Sequence, residues 1–320
     1  MRRRVSTIIA GIAALTALAS CGYSPTPVPG PATASAAPSA AAAPTYSCDN
    51  PLQSYAPLAQ QPRPGEMPGG STMATIAKRG RLIAGVSADT YLLASRNPLT
   101  GKIEGFDISI VKAIAKALLG DENAYQLRVI TASDRIPLLQ KHEVDVVVRN
   151  MTINCTRWHD IAFSAEYYRS GQKLLVRKGS PIQGINTLAG EKVCAPTGTS
   201  SLDNLKKLAP RAIPVTAANH TGCLVLFQQG KVDAITGDDT VLAGLASQDP
   251  YAVVLEGKPF TDEPYGVGVP KEDVDLVRFV NGVLEQMRRD GSWQRNYDRW
   301  LAPTLGAGRG QPTPQYGRQR

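Results

Sequence analysis

The sequence predicts an α/β protein of two lobes, each a mostly parallel sheet flanked by helices. Three observations carry that expectation. Arg81 to Val86 (RLIAGV) and the stretch EKVCAP around Lys192 to Ala195 both read as short buried strands, and they look like counterparts. A second echo is clearer: Leu138 to Val148 and Leu226 to Ile235 each run from a helix end through a polar turn into an apolar strand. Repeated strand, helix and strand units imply parallel pairing, with ligand positions beyond the carboxyl ends of the strands. Finally, 320 residues with 42% hydrophobic side chains suffice for two medium cores, at roughly 150 residues per domain.

Taken from the N-terminus, Met1 to Ser20 has the parts of an export signal: a basic head (Arg2, Arg3, Arg4), an apolar run from Val5 and small residues at its end. The run to Ser20 is sixteen residues, short of the ~20 a spanning helix needs, which argues against a polytopic membrane protein. Leu18-Ala19-Ser20-Cys21 resembles the lipobox of bacterial lipoproteins, in which the cysteine is acylated with diacylglycerol and becomes the mature N-terminus. That resemblance makes 1–20 a signal peptide and Cys21 a lipid anchor, palmitate included, on the extracytoplasmic face of the cell membrane. Residues 21–47 carry no charge and are punctuated by Pro25, Pro27, Pro29, Pro31, Pro38 and Pro44. Such a segment cannot bury a core and serves as a semi-extended tether.

Residues 48–73 read as an N-terminal extension. After the first strand, Asn97-Pro98-Leu99-Thr100-Gly101 has the composition of a hairpin turn. Asp107 to Leu119 places Ile108, Val111, Ile114, Ala115 and Leu118 at helical spacing, with Asp107 as the expected N-cap and Gly120 at the exit. Leu276 to Leu284 and Trp293 to Leu301 also read as helices. The Pro-, Gly- and Arg-rich run 303–320 has no core pattern and is expected to be disordered.

The net charge of +8 is concentrated at the ends, three charges at Arg2 to Arg4 and three at Arg309, Arg318 and Arg320, leaving the body close to neutral. With aromatics at 6% and no basic stripe, a nucleic-acid partner is not expected. Cys48, Cys155, Cys194 and Cys223, an even number in an exported chain, favour two disulfides among three connectivities. No C-x-x-C pair occurs, and His142, His159 and His220 form no H-E-x-x-H, so no metal and no cofactor is expected.

From about Thr75 to Leu301 the chain resembles the extracellular solute-binding proteins, family 3, of polar amino-acid ABC transporters. The matching pieces are Gly105-Phe106-Asp107, Arg135-Ile136-Pro137-Leu138-Leu139-Gln140, Met151-Thr152-Ile153 with Arg157, Phe163-Ser164, Gly198-Thr199-Ser200, Asp238-Asp239, Tyr265-Gly266 and Trp300. Within the family it looks most like the glutamate/aspartate/glutamine binders. The resemblance implies a type II periplasmic-binding-protein-like fold, with lobe one from 74–169 plus 265–302 and lobe two from 170–264. Two hinge crossings would lie near Tyr168 to Ser170 and Pro264-Tyr265. Cys194 and Cys223 then fall together in lobe two, which pairs them and leaves Cys48 to join Cys155.

An amino-acid ligand carries an α-carboxylate and an α-ammonium, each costly to remove from water without an opposite charge. The resemblance gives Arg157, seven residues after Asn150, the α-carboxylate, with the hydroxyl of Thr152 beside it. Gly198 and Thr199 open a helix and offer an anion cradle. Asp238, in preference to Asp239, takes the α-ammonium. Arg135 and His220 align with positions facing a distal carboxylate, which favours glutamate or aspartate. Where that branch often has a further basic residue this chain has Ser87, so either Arg149 compensates or glutamine and asparagine are accepted too. Tyr91 is expected to cover the ligand or simply to pack. The expected function is capture without chemistry by a monomer, which delivers its ligand to ABC permease subunits. The alternative keeps the fold and signals through a membrane receptor. No G-x-S-x-G motif or second domain supports an enzyme.

Overall fold

A computed structural model describes residues 46–308 and 310–319. The signal peptide, the acylated Cys21 and nearly all of the tether lie outside the described residues.

The RLIAGV segment forms the strand Leu82–Val86, whose Leu82, Ala84 and Val86 are fully buried. It is flanked in parallel by Tyr125–Val129 and Val146–Val147. Gly268–Val269 and Ala162–Phe163 complete this sheet in antiparallel register. In lobe two the counterpart is Lys192–Pro196, flanked in parallel by Ile213–Ala217 and Ala234–Asp238. The long strand Tyr168–Arg177 runs antiparallel beside Ala234–Asp238 and also pairs with Ala252–Val254 and Thr261–Tyr265. Each sheet is therefore a parallel trio extended by antiparallel strands, a mixed sheet rather than the mostly parallel one expected. The difference arises because the chain enters and leaves lobe two through an antiparallel pair, with Tyr168 opposite Tyr265 and Ser170 opposite Glu263. The added strands in lobe one are only two residues long, too short for a recognisable pattern.

Helix Phe106–Leu119 packs Ile108, Val111, Ile114, Ala115 and Leu118 into the lobe-one core and ends at Gly120. Its N-cap is Gly105 rather than Asp107. A Cβ at Gly105 would sit 2.3 Å from the Leu93 carbonyl oxygen, so only glycine fits this approach. Asp107 lies in the first turn, buried, where it accepts from the Asn150 N–H and the Tyr167 hydroxyl. The turn at Asn97 joins Ala94–Arg96 to Ile103–Glu104 as a hairpin. Helices Val274–Arg289 and Ser292–Trp300 close lobe one.

The cysteines pair as Cys48–Cys155 and Cys194–Cys223. The second bridge ties the strand Lys192–Pro196 to the helix His220–Gln228 inside the lobe-two core. The tail differs from expectation. Gln315–Tyr316 pairs in parallel with Gln53–Ser54, Arg288 donates to the Gln311 and Pro312 carbonyls, and the Arg318 guanidinium lies 3.8 Å over the Trp158 ring. Guanidinium stacking and backbone pairing order this segment without any apolar periodicity.

Candidate functional site

The carboxyl ends of the two parallel trios face each other across the lobe boundary. Beyond Val146–Val147 the chain turns through Asn150, whose φ of 35° is held by the bond from its N–H to Asp107 Oδ2 at 2.9 Å. Burial pushes the Asp107 carboxyl up to about 6. Thr152 follows, and Arg157 comes from the six-residue helix Cys155–Asp160, capped by Asn154, which accepts from the Arg157 N–H. Arg135 opens the helix Arg135–Gln140.

From lobe two, Thr199 caps the helix Ser200–Leu208, its hydroxyl accepting from the Leu202 N–H at 3.2 Å and donating to the Pro196 carbonyl at 2.7 Å. The Gly198 carbonyl reaches into lobe one, where it accepts from Arg135 Nη2 at 2.9 Å and Arg157 Nη2 at 3.5 Å. Thr152 Oγ1 meets Ser200 Oγ at 3.0 Å. Both hydroxyls donate to Glu263 Oε2, at 2.6 and 2.7 Å. Asp238 ends its strand buried, with Oδ2 accepting from the Tyr265 hydroxyl at 2.7 Å and Oδ1 lacking a partner among the described residues. The structure thus brings Arg135, Arg157, Thr152, Gly198, Thr199, Asn150 and Asp238 to one boundary.

The electrostatics are unbalanced in a specific way. Arg135, Arg149 and Arg157 are 3%, 5% and 7% exposed, yet none has a carboxylate within ion-pair distance among the described residues. Arg157 donates to the Thr152 carbonyl at 2.6 Å and Arg149 to the Ile130 carbonyl at 3.0 Å. Burial lowers the pKa of all three, and Arg135 is further disfavoured as a cation by its neighbours Arg157 and Arg149. Opposite them, burial first and the Glu263 charge second push the Asp238 carboxyl up to about 7. Several buried cations and one under-satisfied anion are costly unless a partner supplies the missing charges.

Two further expected residues, His220 and Tyr91, have the following surroundings. His220 lies at the first position of its helix with its ring packed on Gly237 and Nε2 3.3 Å from the Thr236 carbonyl. Burial lowers its pKa to about 4, so at neutral pH it supplies no cation. Tyr91 is 48% exposed, and its carbonyl oxygen lies 2.8 Å from where a Gly244 Cβ would sit. Ser87 is buried and bonded to Asp89 and Thr90. Asp239 accepts from Ser170 at 2.5 Å and is turned toward the crossing strand. Sequence reasoning missed Glu263, 1% exposed and held by four donors from both lobes and the crossing. The only signal was its place just before Pro264-Tyr265.

Comparison with known proteins identifies the family. Residues 82–303 match the model of the bacterial extracellular solute-binding proteins, family 3. An ABC transporter glutamine-binding protein of Bacillus subtilis (strain 168) is 40% identical over 231 residues, covering 72% of this chain and 84% of its own. A glutamate-binding protein of Corynebacterium efficiens is 30% identical over 243 residues, covering 72% and 82%. Among solved structures, the solute receptor for L-cysteine of Neisseria gonorrhoeae superposes with a TM-score of 0.71 at 25% identity, covering 74% of this chain and 96% of its own. The match across both lobes shows that the chain belongs to the bacterial extracellular solute-binding proteins, family 3.

Proposed function

We propose that the protein captures an acidic amino acid, glutamate or aspartate, or the corresponding amide, between its two lobes and hands it unchanged to an ABC permease. The observation that carries this reading is the pair of buried guanidiniums, Arg135 and Arg157, without carboxylate partners among the described residues, at the same lobe boundary as Asp238, whose Oδ1 has no partner among those residues. Glutamate offers two carboxylates and one ammonium, the complement of that set. In this reading Arg157 and Thr152 take the α-carboxylate, together with the helix opening at Gly198 and Thr199, and Asp238 takes the α-ammonium. Arg135 and Arg149 read the side chain, the role left open by a neutral His220. Relatives named for glutamine and for glutamate binding support the ligand class. Because only the closed state satisfies both ends of the ligand, binding favours closure. Anchoring through Cys21 and the tether would hold this monomeric body beside the permease.

Isothermal titration of the purified protein, freed of ligand, against glutamate, aspartate, glutamine and asparagine tests the proposal. Selective tight binding of the two acids supports arginine readout of the side chain. Equal binding of the amides reduces Arg135 and Arg149 to structural residues, and no heat with any of the four overturns the amino-acid reading.

A further inference from the structure

The helix Cys155–Asp160 that presents Arg157 is six residues long, too short to hold its orientation by its own hydrogen bonds. Three of its other residues are gripped by chain outside the 82–303 family match. Cys155 is bonded to Cys48. Trp158 Nε1 donates to the Pro51 carbonyl at 2.8 Å, and its ring is covered by the Arg318 guanidinium at 3.8 Å. Arg318 in turn donates Nε to the Gln53 carbonyl at 2.8 Å. His159 stacks on Tyr46 with ring centroids 3.7 Å apart. The two gripping segments are joined to each other by the parallel pair Gln53–Ser54 and Gln315–Tyr316. A buried hydroxyl seats the pair on lobe one, since Ser54 Oγ donates to the Phe163 carbonyl at 2.8 Å. Arg157 points from the opposite side of the same short helix to the Thr152 and Gly198 carbonyls.

We infer that the N-terminal extension and the C-terminal tail form a clasp that positions Arg157, so that ligand affinity depends on Cys48, Trp158 and Arg318 although none of them reaches the ligand. This rests on the reading of Arg157 as the α-carboxylate anchor. The helix has three independent holds: a covalent one at its first residue, a hydrogen bond with a cation over the ring at its fourth, and a stacked ring at its fifth. Releasing a hold leaves the guanidinium correctly aimed for only a fraction of the time, and apparent affinity falls by that fraction. Because the α-carboxylate is common to all amino acids, the loss should be the same factor for every ligand. Side-chain selectivity should be unchanged.

The test is isothermal titration of glutamate and glutamine into the full wild-type chain, Arg318→Ala, Arg318→Lys and the double variant Cys48→Ser with Cys155→Ser, all well below their unfolding temperatures. An aimed fraction near one tenth gives about a tenfold loss of affinity for both ligands in Arg318→Ala and in the double variant, at an unchanged glutamate-to-glutamine ratio. Arg318→Lys keeps a cation over Trp158 but not the planar Nε donor, so partial recovery is expected. Wild-type affinity in Arg318→Ala and in the double variant, even with lowered unfolding temperatures, would make the clasp purely structural and overturn the inference. Absence of binding by the wild type itself would instead overturn the proposed function.

Discussion

Replacing Asp238 with asparagine keeps the shape of the site and removes the one anion assigned to the ligand's ammonium. The residue is 3% exposed, with Oδ2 bonded to Tyr265 and Oδ1 without a partner among the described residues. Removing one member of a buried ion pair costs about 3–5 kcal/mol, which at about 1.4 kcal/mol per decade is a loss of roughly two to three and a half orders of magnitude in affinity. The pH dependence follows from the same group. In the ligand-free protein its pKa is raised to about 7. An ammonium at Oδ1 holds the carboxylate ionised, so below that pH binding must expel a proton. Affinity then falls by about fivefold between pH 7 and pH 6 in the wild type and stays flat in Asp238→Asn. Stability has the opposite sign. The folded value lies above the ordinary 3.8, so the folded state binds more protons in that window, and the ligand-free protein loses stability as pH rises from 3.8 to about 7. Asp238→Asn should remove that loss, raising the ligand-free unfolding temperature at neutral pH while weakening binding. Titration calorimetry in two buffers of different ionisation enthalpy reads the proton directly. Wild-type binding without proton release at about pH 6 would refute this reasoning.

Other consequences can be checked with the same preparations. Gly198 has φ of 75°, and a Cβ there would lie 2.8 Å from Ser133 Cα across the lobe boundary. Gly198→Ala should therefore hold the lobes apart, seen as a larger radius of gyration by solution scattering and weaker binding of every amino acid; unchanged scattering and affinity would contradict the close approach. Glu263→Gln removes the charge that helps raise the Asp238 pKa, so the proton released at about pH 6 should shrink relative to wild type; an unchanged proton count would remove Glu263 from that balance. The double variant Cys194→Ser with Cys223→Ser opens a loop of sequence separation 29. It should lose about 3.5 kcal/mol in urea denaturation, and a loss under about 1 kcal/mol would mean the lobe-two core alone holds this helix.

What the sequence revealed and what it hid follow from different physics. The two echoes were legible because parallel strands buried on both faces write continuous apolar runs, and Val146–Val147 and Ala234–Asp238 occupy the same place in their respective sheets. Helix Phe106–Leu119 was legible from its period, but its cap was not. Asp107 looked like a capping residue, while its carboxylate is used to hold Asn150 at positive φ. The tail carried no periodic signal because its order comes from a guanidinium on an indole ring and from two residues of strand pairing. Glu263 read as part of a polar turn, and only the antiparallel crossing with Tyr168–Arg177 buries it between Thr152 and Ser200. His220 aligned with a cationic position, yet the absence of a side chain at Gly237 lets the ring sink onto the strand, where burial keeps it neutral. Spacing places a residue at a strand end; which way its side chain turns depends on neighbours distant in sequence.

The most direct test of amino-acid capture between the lobes is a paired titration of L-glutamate into the wild type and Arg157→Ala at neutral pH. Arg157 has no carboxylate partner among the described residues, so its removal leaves a ligand carboxylate buried without its counter-charge. Saturable one-to-one binding is expected of the wild type, with a loss of at least about two orders of magnitude in Arg157→Ala. Wild-type affinity in Arg157→Ala would contradict that expectation.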